Sequence, residues 1–163
     1  MKIVQLTNEK EKRKVTQIIL EALPEWFGIP EAREEYIKEC TDKLFFCAYD
    51  EDRPVGFLYL KETGNATIEL YAMGILKEFH RHGIGRDLFQ NAKKEAVKAG
   101  YSFMQVKTVQ MGKYEEYDKT NQFYCSLGFC EFEIFPNLWD EWNPCQVYVM
   151  HCRTKPPSII IEG

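Results

Sequence analysis

The chain has 163 residues, 45% of them hydrophobic and 14% aromatic, with 21 Lys+Arg against 25 Asp+Glu. One domain of this length removes roughly 70% of its extended-chain surface from water, enough to offset the entropy of ordering the backbone, so collagen-like, low-complexity and disordered readings are excluded. A formal charge of −4 and a pI near 5.5 argue against a general nucleic-acid binder.

No apolar run approaches the roughly 18 residues that span a bilayer, and the opening Met1-Lys2-Ile3-Val4-Gln5 lacks the apolar core of a signal peptide. A cytoplasmic protein with no membrane partner is expected. The six cysteines form no C-x-x-C pair. They read as reduced core thiols rather than a disulfide framework. His80, His82 and His151 stand at no finger-like spacing from them, so no metal site is expected.

In chain order, Ile3–Leu6 reads as a short strand and Glu9–Ala22 as a helix, with Val15, Ile18, Ile19 and Ala22 at helical spacing and Pro24 as its stop. Trp26 and Phe27 fall on a loop, as part of the core or of a binding wall. Pro30 suits the first turn of a second helix reaching Cys40. From Leu44 the period changes to two, giving a hairpin of Leu44–Tyr49 and Val55–Leu60 and then a long strand, Ala66–Leu76. Gly83 and Gly85 open a helix closed by Gly100, whose apolar stripe is Ile84, Leu88, Ala92 and Ala96. A strand at Phe103–Val109, a short helix at Thr120–Leu127 capped by Gly128, and strands near Phe129–Phe135 and Gln146–Cys152 complete a domain over 1–153. Residues 154–163 form a tail in which Ile159-Ile160-Ile161 is available for a neighbour.

The segment richest in chemistry is the strand, glycine turn and helix around His80-Arg81-His82-Gly83-Ile84-Gly85-Arg86. Such a turn aims unpaired backbone N–H groups at one point beside the positive end of a helix dipole, which suits an anion such as a diphosphate. A Cβ at 83 or 85 would hold a diphosphate away from those donors. Residues 77–94 carry +3, leaving −7 for the rest of the chain. No Walker A loop occurs. A Rossmann fingerprint would need a third small residue where Leu88 stands, and here a hairpin precedes the turn.

What is left is the pattern [Q/R]-x-x-G-x-G/A, and over nearly the whole domain the sequence resembles the GNAT family of acetyl-CoA-dependent N-acetyltransferases. One departure is His80 in the leading [Q/R] position. The resemblance implies an α/β (α+β) fold: a mixed, mostly antiparallel, twisted sheet of about seven strands flanked by about four helices. It implies that the backbone of Met73 and Ile75 pairs with the pantetheine arm. The diphosphate would lie on His80, Arg81, His82, Gly83, Ile84, Gly85 and Arg86. The run Asn121-Gln122-Phe123-Tyr124 with Gly128-Phe129 is similar to the family's N-x-x-A-x-x-F-Y-x-x-x-G-F, without its alanine. On that match Tyr124 is the general acid for the departing thiolate and Asn121 contacts the pantetheine, against the plainer alternative that this tyrosine is core. Glu69 alternates with Ile68 and Leu70, leaving it able to face the cleft, and its spacing to the glycine turn matches the base of some family branches. The Met73 N–H would donate to the thioester oxygen, with Gly74 admitting the strand irregularity that opens the cleft.

The expected activity is acetyl transfer from acetyl-CoA to a primary amine in a ternary complex. A non-catalytic acyl-CoA-binding module of the same fold is the rival reading. Acids at Glu115, Glu116 and Asp118, and four more between Glu131 and Glu141, would favour a cationic acceptor if they form a wall. Trp26, Phe27, Trp139 and Trp142 are candidates for its apolar side. A homodimer is expected by analogy with the family only.

Overall fold

In the computed structural model, which describes residues 1–152, the order of elements is β1 (Lys2–Leu6), α1 (Glu9–Glu21), α2 (Pro30–Glu39), β2 (Leu44–Asp50), β3 (Arg53–Glu62), β4 (Thr67–Ile75), α3 (Ile84–Lys98), β5 (Phe103–Val109), α4 (Glu115–Ser126), β6 (Cys130–Asp140) and β7 (Asn143–His151). The tail with Ile159–Ile161 lies outside the described residues. Asn8 caps α1 by accepting from the Glu11 N–H at 2.9 Å. Pro30 sits in the first turn of α2, where its missing N–H costs nothing.

The strands form one sheet in the order β1-β2-β3-β4-β5-β7-β6. All neighbours are antiparallel except β4 and β5. That one parallel pair needs a crossover, and α3 supplies it. The α3 stripe of Ile84, Leu88, Ala92 and Ala96 is buried as expected, joined by Gly85 and Phe89. Packed against α1, the rings of Phe45, Phe57 and Tyr59 stack with centroids 5.6 and 5.8 Å from Phe45.

Four features differ from the sequence reading. Helix α4 starts at Glu115 rather than Thr120, so Glu115, Glu116 and Asp118 occupy its first turn, where carboxylates oppose the positive end of the helix dipole. The bulge in β4 falls at Tyr71 and not at Gly74: Tyr59 pairs with Ala72 and Leu60 with Leu70, leaving Tyr71 without an opposite number. Gly74 is required instead by packing, since a Cβ there would lie 3.0 Å from Ile19 Cγ2 and 3.1 Å from Leu23 Cδ1. All six cysteines are free thiols, but Cys125 and Cys130 are exposed, so only four are core.

Candidate active site

The site exists because two parallel strands part company. Strands β4 and β5 pair only from Thr67–Leu70 to Phe103–Val106. Beyond that fork β4 continues beside β3 to Ile75, while β5 continues beside β7 to Val109. The gap opens into a cavity of about 1080 Å³, lined by Tyr71–Ile75 on one strand and Lys107–Val109 on the other. The turn before α3, the loop after α1, the start of α4 and the β6–β7 hairpin tip close it around.

At one end stands the N-terminus of α3. Gly83 adopts φ +78°, no side chain caps the helix, and a Cβ at Gly83 would meet nothing within 4 Å. No side chain takes the first-turn N–H groups, and Gly83, Ile84, Gly85 and Arg86 line the cavity, an arrangement suited to an anion. Arg81, itself left-handed at φ +64°, and Arg86 line the cavity here. Gly85 serves a different purpose: a Cβ on it would lie 2.9 Å from Phe123 Cζ and 3.0 Å from Met73 Cε, so glycine permits α3 to close on β4 and α4. His80 lines the cavity but turns back to β4, its Nε2 lying 2.7 Å from the Ile75 carbonyl oxygen. His82 is exposed, edge-on to Phe79, and is not among the residues that line the cavity.

The backbone of β4 alternates between its two edges. The Leu76 N–H donates to the Val55 carbonyl at 2.9 Å, so residue 76 turns toward β3. Ile75, whose carbonyl receives His80, turns the other way, and a period of two takes Met73 with it to the edge that β5 has left. Among the described residues no strand pairs with Met73 or Ile75 on that edge, and His80 takes only the Ile75 carbonyl.

Tyr124 reaches the same cavity from α4. Its ring packs on Phe129, Tyr148 and Phe123, and among the described residues its hydroxyl has no hydrogen-bond partner. Burial raises its pKa well above the ordinary phenol value, so at neutral pH it stays a proton donor. Asn121, three residues earlier, is wholly buried and fully engaged. It donates to the carbonyls of Val109 and Tyr117 at 2.9 and 2.7 Å and accepts from the Tyr148 hydroxyl at 2.6 Å. It does not line the cavity, and its visible work is to fasten α4 to β5 and β7.

Glu69 sits at the fork, with 5% of its side chain exposed, in an ion pair of 3.2 Å with Lys107 Nζ. Burial pushes its carboxyl above the ordinary value, and Lys107 and Lys61 pull against that. Lys107 lines the cavity whereas Glu69 stands behind it. Sequence reasoning missed Lys107, because nothing in a lone lysine on a strand marks it as the partner of a carboxylate 38 positions away.

Beyond the fork the walls are aromatic. Trp26, Phe27, Tyr36, Tyr71, Tyr117 and Trp139 all line the cavity. The loop carrying Trp26 is tied to α4 twice, by Tyr117 donating to the Trp26 carbonyl at 2.9 Å and by the Trp26 indole donating to the Glu116 carbonyl at 3.3 Å. Trp142 is 72% exposed and points elsewhere. The acidic wall does not form as a whole. Of the seven acids, only Glu116 and Asp140 line the cavity, and Asp140 is occupied capping the hairpin tip through Trp142 N, Asn143 N and Asn143 Nδ2.

Comparison with known proteins agrees with this geometry. The family model for the acetyltransferase (GNAT) domain matches residues 41–131. No curated protein matches the chain in sequence. Among solved structures, one described as a GNAT-family acetyltransferase of Desulfovibrio desulfuricans is 15% identical, with a TM-score of 0.80 over 93% of this chain and 99% of that one. The aminoglycoside 6'-N-acetyltransferase of Enterococcus faecium is 20% identical, with a TM-score of 0.76 over 96% and 99%. The ribosomal-protein-S18-alanine N-acetyltransferase of Escherichia coli is 14% identical, with a TM-score of 0.75 over 97% and 99%.

Proposed function

The chain belongs to the GNAT acetyltransferase family, and from that premise we propose that it transfers the acetyl group of acetyl-CoA to a primary amine, on a small molecule or a peptide, by direct attack in a ternary complex. The observation that carries the reading is the Tyr124 hydroxyl. The residue is buried, yet its hydroxyl makes no hydrogen bond among the described residues, and it lines the cavity that also takes in the open end of α3 and Lys107, the partner of Glu69.

In this mechanism the uncapped turn from Gly83 to Arg86, with Arg81, takes the diphosphate, and the β4 edge, at Met73 and the Ile75 N–H, takes the pantetheine arm, the Ile75 carbonyl being held by His80. That arm directs the thioester toward the fork. An alkylamine has a pKa near 10 and arrives protonated. Glu69 accepts the proton, directly or through water, and the neutral amine attacks the carbonyl carbon. The Met73 N–H donates to the oxygen as it gains charge. As the C–N bond forms and the C–S bond breaks, Tyr124 gives its proton to the sulfur, and the second proton lost from the nitrogen as the amide forms returns to the phenolate. Holding both substrates in one cavity supplies the proximity that solution lacks. The acceptor's body packs on Trp26, Phe27 and Trp139, and a cationic acceptor meets Glu116 and these ring faces.

The rival reading, an acyl-CoA-binding module without turnover, accounts for the open helix end but leaves Tyr124 and the fork without employment. The experiment is thiol release from acetyl-CoA in the presence of a panel of amines, from polyamines to aminoglycosides and peptide N-termini. At least one amine should accelerate release tenfold or more over hydrolysis. Tight acetyl-CoA binding with no acceleration by any amine would favour the rival.

A further inference from the structure

Glu69 and Gln105 face each other in the last paired stretch of β4 and β5. Lys107 lies one strand period beyond Gln105, so its side chain leaves the sheet on the same face, just where the strands part. The 3.2 Å pair therefore spans the fork itself. The two partners are unequally placed: Lys107 keeps 31% of its side chain exposed and lines the cavity, whereas Glu69 keeps 5% and does not. On the cavity side of the pair the group presented is therefore Lys107.

The other groups around the fork are already matched. On β3, Lys61 is paired with Glu39 of α2 at 3.0 Å and lies 4.6 Å from the centroid of the Tyr71 ring. Tyr36 of α2, Tyr71 of β4 and Cys145 of β7 also face the pair, each held neutral by burial. Among the described residues, Lys107 is the cation in contact with Glu69.

We propose that Lys107 is a positioning residue for acetyl transfer: it fixes the Glu69 carboxylate at the fork in its ionised form, and as a cation beside the acceptor nitrogen it favours that amine's neutral, nucleophilic form. The proposal rests on the acetyltransferase reading above. Lys107 exchanges no proton. The acceptor ammonium gives one proton to Glu69, the nitrogen's electron pair forms the C–N bond, the C–S pair leaves with sulfur, Tyr124 protonates the thiolate, and the second N–H proton, lost as the amide forms, restores the Tyr124 phenol. Both effects of Lys107 act in the same direction, because a positive neighbour lowers the pKa of a carboxylate and of an ammonium alike.

The test is the pH dependence of kcat/KM for the Lys107→Met variant with the best acceptor of the panel. Its acid limb should move up by about one pH unit, while acetyl-CoA affinity stays within about twofold, because the diphosphate turn is at the other end of the cavity. Lys107→Arg should return the limb to the wild-type position. If Lys107→Met does not fold, Lys107→Gln, which keeps a donor toward Glu69 without the charge, reads the same limb. An unshifted limb in a variant that still binds acetyl-CoA overturns the role of Lys107 while leaving the acetyltransferase reading intact. Absence of turnover in the wild-type protein with every amine would overturn both.

Discussion

The two ends of the cavity are built from different materials. At the α3 end the lining is main chain: a left-handed Gly83 and a helix start whose N–H donors no side chain caps. At the fork the lining is side chains: Lys107 with Glu69 behind it, Tyr124, and aromatics brought from five separate segments. Backbone recognition depends on the path of the chain and tolerates many side chains, which is why His80 can stand at the head of the turn. Side-chain recognition depends on individual residues, so single substitutions there should cost far more in turnover than in donor binding.

The largest expected effect is at the fork. Glu69→Gln should lower kcat/KM about a hundredfold and abolish the acid limb of its pH profile, with acetyl-CoA affinity nearly unchanged. The sign follows from burial: a carboxyl held above its ordinary value is a competent base only above that value, so wild-type activity is lost as pH falls through it. Retention of the limb in Glu69→Gln would move the base elsewhere. A smaller effect of the opposite kind is expected at the other end. Gly85→Ala places a Cβ 2.9 Å from Phe123 Cζ and should cost about 1–3 kcal/mol in a thermal or denaturant melt. Acetyl-CoA affinity should drop with it, because α3 can no longer close on β4. Smallest of all is His82→Ala, expected to leave acetyl-CoA affinity within about twofold by calorimetry, since His82 lies outside the cavity lining. A tenfold loss there would mean that the diphosphate reaches past Arg81.

The same contrast explains what could be read from the residues in order. Features with a local cause were legible: Pro30 at a helix start, the period-two hairpin, the α3 stripe, the glycine turn and Gly128 beyond α4. Features set by register between distant strands were not. The bulge at Tyr71 depends on how β4 meets β3, and Gly74, the apparent source of irregularity, is glycine because Ile19 and Leu23 press on it. The acids at 115, 116 and 118 looked like a substrate wall because the start of α4 is hidden by Tyr114 and by weak periodicity. In space all three occupy the first turn of α4, and of them only Glu116 also lines the cavity. Asn121 and Tyr124 share a helical spacing with two outcomes, one tied into the core and the other facing the cavity. Only the positions of Val109 and Tyr148 decide between them.

The central claim is that this cavity performs chemistry on the thioester it binds, and Tyr124→Phe tests it most directly. Removing one oxygen from a hydroxyl without a hydrogen-bond partner leaves the ring packing on Phe129 and Tyr148 in place. Paired calorimetric and steady-state measurements should show acetyl-CoA affinity within about twofold and kcat reduced about a hundredfold. Equal losses of affinity and turnover, or no loss of either, would contradict the account and make Tyr124 a core residue.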